Sequence, residues 1–205
     1  MNKFSVIIPT MWQSNTTNEL IKSLTNCDLI DEIILIDNNP SKKLNIQMCK
    51  INYLPQEENI YVNPAWNLGV KLSKNNLICI CNDDIIFDVD DLFTWIHSNE
   101  SALGCVGIHP DSYSTDRDYI EVDDKYHTGG GGWGCLIFLK KENWIEIPNN
   151  LKIGYGDDWI AITNKPHYSV KTRSKIVTKM STTSSKKEFS PVVVNDIKTW
   201  KRIFG

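Results

Sequence analysis

Two pairs of adjacent carboxylates are the residues of this chain best placed to do chemistry. The first lies in "LICICNDDIIFD", residues 77–88, where an apolar run ends in Asn82-Asp83-Asp84. The second lies in "GYGDDWIAIT", residues 154–163, where Asp157-Asp158 follow two glycines. Neighbouring negative charges repel, and burying either one is costly. A bound cation resolves the conflict, and oxygen-ligated Mg²⁺ and Mn²⁺ are held by one or two carboxylates together with substrate phosphates. Each pair also has a bland reading. Asp83-Asp84 can be a solvated turn in which Asp84 caps with its side chain, and Asp157-Asp158 can complement the dipole at a helix start.

The elements that position these residues follow from periodicity. "FSVIIP" (4–9), "EIILID" (32–37) and "LICIC" (77–81) are continuous apolar runs, the pattern of strands covered on both faces in a parallel sheet. Helical patterns lie between them. Thr16-Thr17-Asn18-Glu19 resembles a capping box ahead of Leu20, Ile21 and Leu24. Asn63-Pro64 reads as an N-cap followed by proline at the first helical position, with Ala65, Leu68 and Leu72 as the buried stripe. Asp88 is placed to cap a helix carrying Leu92, Phe93 and Ile96. "CVGIH" reads as a further strand. Residues 110–128 are polar and aperiodic; beyond them come Gly129 to Gly132, a strand "CLIFL", a short helix around Trp144, and a loop into a helix at "GYGDDWIAIT". "KIVTKM" reads as a strand, "STTSSKKEFS" as a loop and "NDIKTWKRIF" as an amphipathic helix. Strand-helix alternation predicts an α/β fold with a Rossmann-like, mostly parallel central sheet flanked by helices. Ligands of such sheets bind at the carboxyl ends of the strands. Pro9-Thr10, Asp37-Asn38-Asn39 and Asn82-Asp83-Asp84 then share one edge.

Composition excludes several classes. The chain has 205 residues and a net charge of −3, from 22 basic and 25 acidic residues. That fits a single domain and not a nucleic-acid binder, which would be basic. No run approaches the ~18 apolar residues of a membrane span, and "MNKFSVIIPT" reads as a strand and not a signal peptide. The six cysteines form no CxxC pair, which predicts free buried thiols in a reducing compartment. "TMWQSN" after the first strand lacks the GxGxxG of a dinucleotide site, and the glycine run is not followed by the Lys-Ser/Thr of a P-loop. Usage rich in Asn, Lys and Ile suggests an AT-rich genome, viral or bacterial.

In order and spacing, "SVIIPT", "IILIDNN", "NPAWNLGVKLSKNNLICICNDD" and "GYGDDW" resemble the family 2 glycosyltransferases of the GT-A fold, over roughly residues 4–160. The resemblance implies one GT-A-type domain, 1–205, with a nucleotide-sugar-binding half (1–109) and an acceptor-side half (110–205). It implies that Pro9, Thr10, Asp37, Asn38, Asn67 and Asp83 hold the nucleotide-sugar, with Asp37 and Asn38 at the base and ribose and Asn67 reaching the base. Asn82-Asp83-Asp84 corresponds to the DxD element, with Asp84 on Mn²⁺ or Mg²⁺. Asp157-Asp158 corresponds to the family's Glu-Asp pair, with Asp158 as the base that takes the acceptor hydroxyl's proton. "GGGGWGC" is the candidate acceptor platform: Gly132 lets the backbone approach a sugar and Trp133 stacks on its face. The alternative is a glycine loop with Trp133 in the core.

The implied activity is transfer of a sugar from a nucleotide-sugar, a UDP-sugar by expectation, to a glycan acceptor, with inversion. The partners are then a donor nucleotide and a glycan, with no nucleic acid and no membrane span, in the cytoplasm (that of a host cell if the source is viral). Departures from the pattern are Asn82 for the first Asp of DxD and Met180 where a histidine near the diphosphate is usual. His109, His127, His167, Lys179 and Lys186 are the nearby substitutes. Two other functions stay open: a catalytically degenerate nucleotide- or sugar-binding module, and a sugar nucleotidyltransferase, which would want a Gly/Arg-rich loop where "TMWQSN" stands.

Overall fold

A computed structural model describes residues 2–41, 49–100, 104–109, 119–122, 133–164, 167–171, 173–178 and 186–205. Four strands run parallel: β1 (Phe4–Thr10), β2 (Ile30–Asp37), β3 (Ile51–Pro55) and β4 (Leu77–Cys81). β5 (Ile85–Ile86) follows at once, then β6 (Cys105–Ile108), β7 (Tyr119–Val122), β8 (Leu136–Lys140), β9 (His167–Lys171) and β10 (Val177–Thr178). One eight-stranded sheet has the order β3-β2-β1-β4-β8-β6-β9-β7, and β5 pairs with β10 in a separate ribbon. β8 is antiparallel to both β4 and β6, β6 is parallel to β9, and β7 is antiparallel to β9. The sheet is therefore mixed but mostly parallel, as the apolar runs predict, and it passes through both halves of the chain.

Side-chain alternation explains why the central strands are almost entirely apolar. Val6 and Ile8 of β1 pack on one face with Ile33, Leu35, Cys79 and Cys81. On that face lie α1 (Thr17–Asn26) and α3 (Val89–Ser98). Ile7 points the other way with Ile34, Ile36, Ile78 and Ile80. That face is covered by α2 (Val62–Leu72), α4 (Gly156–Thr163) and α5 (Ser190–Phe204). Both faces are dry, so nearly every position is apolar; the buried exceptions inside the strands, Ser5 and Glu32, bond to each other, the Ser5 hydroxyl donating to Glu32 Oε1 at 2.6 Å.

Helix starts differ from expectation in two places. α1 has no capping box. Thr16 has helical φ/ψ and no side-chain cap; its hydroxyl is paired with that of Ser14 at 2.6 Å, while the neighbouring Thr17 hydroxyl donates to the Asp83 carbonyl at 3.0 Å. Glu19 stays exposed. α2 begins before Asn63, with Tyr61 at its N-cap, and buries Ala65, Trp66, Gly69 and Val70, whereas Leu72 is 44% exposed. The stripe is rotated because Gly69 lies directly on Ile7: a Cβ there would overlap Ile7 Cγ2. The Asp88 cap forms as expected, accepting from Asp91 N at 3.0 Å. The helix at Trp144 is only the 3₁₀ turn Lys141–Asn143 before it. All six cysteines are free, five of them buried and Cys49 exposed. Among the described residues, no helix is long and apolar enough to cross a membrane.

Gly69→Ala is expected to cost about 1–3 kcal/mol by overpacking the helix-sheet contact. Urea unfolding is the check: the midpoint should fall while the slope stays unchanged.

Candidate active site

The carboxyl ends of β3, β2, β1 and β4 are tied together by side chains. The Thr10 hydroxyl donates to Asp83 Oδ2 at 2.6 Å and accepts from Trp12 N at 2.9 Å. Trp12 turns the chain out of the strand with a left-handed φ of 57°. Asn38 N donates to the Thr10 carbonyl at 2.8 Å. Asp37 accepts from Asn39 N at 2.9 Å and from the Tyr53 hydroxyl at 2.6 Å. Asn38 donates through Nδ2 to Tyr61 O at 3.4 Å, while its buried Oδ1, like Trp12 Nε1, has no partner among the described residues. Pro9 sits one residue inside this edge, opposite Ile36. The first strand-end group is therefore assembled as the sequence suggests.

Burial pushes the Asp83 carboxyl up to about 6; the Thr10 hydroxyl opposes that rise and the Asp84 charge adds to it. Burial is the main cause, the usual cost of ionising a carboxylate away from water. The donor set is hard oxygen, from Asp83 and Asp84 on one turn, which fits Mg²⁺ or Mn²⁺ completed by phosphate oxygens. Among the described residues there is no group of three or more His, Cys, Asp or Glu able to hold a metal unaided.

The second acidic pair opens α4. Tyr155 takes a left-handed φ of 62° as its N-cap, and Asp157 and Asp158 fill the first turn. Asp158 is only 5% exposed, and Asp157 is half-buried. The turn Trp133–Cys135 joins the two acidic groups. Asn82 N donates to the Cys135 carbonyl at 3.1 Å. Gly134 packs on Asp157, where a Cβ would come within 2.9 Å of the Asp157 Cβ. The Cys135 thiol is pushed up to about 12 by burial, and the charges of both Asp84 and Asp157 add to that. The turn therefore stands between the two acidic pairs, bonded to Asn82 and packed on Asp157.

Asn67 does not join this group. Its amide is engaged at both ends by Ile147, donating to Ile147 O at 2.8 Å and accepting from Ile147 N at 2.9 Å. Its observed work is to pin the 147 segment on α2. Gly132, His127, Lys179 and Met180 lie outside the described residues. Trp133 enters as backbone of the linking turn. Lys186 is exposed ahead of α5. Residues that sequence reasoning missed are Thr17, Tyr53 and Asp196; Gly134 lay within the "GGGGWGC" platform, but its packing on Asp157 was not foreseen. Their partners are remote in sequence, so no local pattern marks them. The cue for Gly134 was its place beside Cys135 at a strand entrance.

A family model, Glycosyl transferase family 2, matches residues 5–160. Among curated proteins, none matches the chain by sequence. Among solved structures, the chain is similar to S. aureus TarS 1-349 in complex with UDP-GlcNAc, at 15% identity and a TM-score of 0.62, over 93% of this chain and 64% of that one. It is similar to GalNAc-T7 with UDP, GalNAc and Mn²⁺, at 12% identity and a TM-score of 0.65, over 98% of this chain and 48% of that one. It is also similar to HddC from Yersinia pseudotuberculosis, at 11% identity and a TM-score of 0.57, over 98% and 100%. At these identities the likeness is one of fold. In its match to the crystal structure of S. aureus TarS 1-349, the chain spans 58% of that chain.

The raised Asp83 carboxyl has a signed consequence. An unfolded Asp ionises near about 3.9, so between there and about 6 the folded chain holds a proton that the unfolded chain has released. Stability should fall as pH rises through that window, by roughly 2 kcal/mol once partial exposure is discounted. Asp83→Asn should remove this component. Urea midpoints of both proteins from pH 4 to 7 measure it, and parallel curves would reject the assignment.

Proposed function

The chain belongs to glycosyl transferase family 2, and from that premise we propose that it moves a sugar from a UDP-sugar to a carbohydrate acceptor, inverting the anomeric carbon. A single observation carries this reading: the turn Trp133–Cys135 bonds to Asn82 on one side and packs on Asp157 on the other, beside a strand edge lined by Thr10, Asp37 and Asn38. That gives one edge of the sheet a place for a diphosphate, a nucleoside and an acceptor hydroxyl.

In this reading Asp37 holds the ribose, and Asn38 offers its unpartnered buried Oδ1 to a ring N–H such as that of uracil. Thr10 orients Asp83. Asp84, with Asp83 beside it, holds Mn²⁺ or Mg²⁺, which when bound neutralises the charge that develops on the departing diphosphate. Asp158 accepts the proton of the acceptor hydroxyl as that oxygen bonds to the anomeric carbon. Trp133 and Gly132 form the acceptor platform. The UDP and UDP-GlcNAc complexes of TarS and the UDP and Mn²⁺ complex of GalNAc-T7 are consistent with such a donor and cation. A hexosyl donor and action in the cytoplasm complete the proposal. A second reading, a nucleotide-binding module without turnover, is favoured by Asn82 in place of an acid.

A panel of nucleotide-sugars scored for nucleoside diphosphate release separates the two. UDP-sugars should be turned over, and binding of UDP without release from any donor would favour the module. Asp84→Asn should abolish the gain in UDP affinity that Mn²⁺ confers. Calorimetry with and without the metal reads this, and an unchanged gain removes Asp84 from the metal site.

Asp158→Asn should keep donor affinity and lose about 10²–10⁴ in transfer rate, the range of a general base. Asp157→Asn should lose less. Because Asp157 packs on Gly134, it is the ready alternative, and a larger loss in Asp157→Asn at saturating donor would transfer the role to it.

A further inference from the structure

Asp196 lies on α5, beyond the residues 5–160 that the family model matches. It is 0% exposed. A fully buried carboxylate is costly unless its charge is met by donors. Here three consecutive backbone amides meet it: Lys152 N donates to Oδ1 at 2.9 Å, and Ile153 N and Gly154 N donate to Oδ2 at 2.8 and 2.9 Å. Charge-assisted bonds of this kind are about twice as strong as neutral ones, and successive amides curled about one anion form a nest.

The same peptide is gripped from the opposite side. Asn63 on α2 donates through Nδ2 to Gly154 O at 3.0 Å, and its N–H donates to Lys152 O at 3.0 Å. A Cβ on Gly156 would overlap Asn63 Oδ1. Between these contacts Tyr155 takes its left-handed turn, and its ring lies flat on Trp200, centroids 4.8 Å apart and planes 9° from parallel. Trp200 stands one helical turn beyond Asp196. α5 therefore touches two successive points of the segment that ends in the N-cap of α4, the helix whose first turn is Asp157-Asp158. The orientation of that N-cap decides where both carboxylates stand.

We infer that Asp196 is a positioning residue for the acidic pair, acting through the 152–155 backbone and not on substrate. The inference rests on the reading of Asp157-Asp158 as the reacting pair given above. Asp196→Asn is nearly isosteric, but it loses the charge and turns an NH₂ toward backbone donors. A carboxylate displaced by about 1 Å can cost 10²-fold in rate.

The test has two arms. In the kinetic arm, Asp196→Asn should lower kcat by about 10²-fold while UDP affinity and donor KM stay within twofold. In an Asp158→Asn background the same substitution should cost little more, because the group it positions is gone. Equal fractional losses in both backgrounds, or a loss of UDP affinity equal to the loss of kcat, would make Asp196 a purely structural residue and overturn the inference. The second arm needs no activity. By hydrogen exchange, Asp196→Asn should speed the amides of 152–158 and leave those of β1 and β4 as slow as in the parent. Unchanged exchange at 152–158 overturns the inference. If no donor is turned over by the parent, the functional reading fails and the exchange arm alone decides the clamp. If Asp196→Asn does not fold, the parent decides: amides 152–154 that exchange as fast as an exposed loop overturn the inference, and exchange as slow as the sheet supports it.

Discussion

One short hydrogen bond, from the Thr10 hydroxyl to Asp83 Oδ2, is the interaction on which the functional edge depends. The end of a strand buried on both faces leaves polar groups with little water to satisfy them. The Thr10 hydroxyl solves this twice, accepting from Trp12 N as it donates to Asp83. The exits of β1 and β4 are thereby joined. The chain of bonds continues through Asn38 N on Thr10 O to β2, and the Tyr53 hydroxyl on Asp37 brings in β3. Four strand ends become one polar rim, and Asp83 keeps a carboxylate whose ionisation burial resists.

The second half of the chain reaches this rim because β8 is antiparallel to its neighbours. A parallel strand at that position would enter from the far side of the sheet. An antiparallel one enters at the carboxyl edge of β4, so Trp133–Cys135, just before it, arrive beside Asn82-Asp83-Asp84. Gly134 then sets the approach of Asp157. The second half of the chain contributes its acidic pair through that reversed strand, and α5 holds the pair from behind.

The strands at 4–9, 32–37 and 77–81, the Asp88 cap and the polar strand ends were legible in the chain itself. They are local: apolar runs report burial on both faces, and a capping carboxylate bonds three residues away. Some local patterns were overridden. The Thr16 hydroxyl went to Ser14 and left the capping box unformed, and Gly69 against Ile7 turned α2 so that Trp66 and Val70 went inward and Leu72 outward. Asn67, expected at the base, spends its amide on Ile147 eighty residues away.

By itself the sequence determined the fold class, the family and the residue types at the strand ends, because periodicity and motif order are properties of neighbours along the chain. Only the tertiary structure decided which distant groups meet. Strand order brings Cys135 to Asn82 and Gly134 to Asp157, and packing of α5 delivers Asp196 to three amides more than forty residues before it. Those pairings are set by which faces can be buried together, and no spacing in the sequence encodes them.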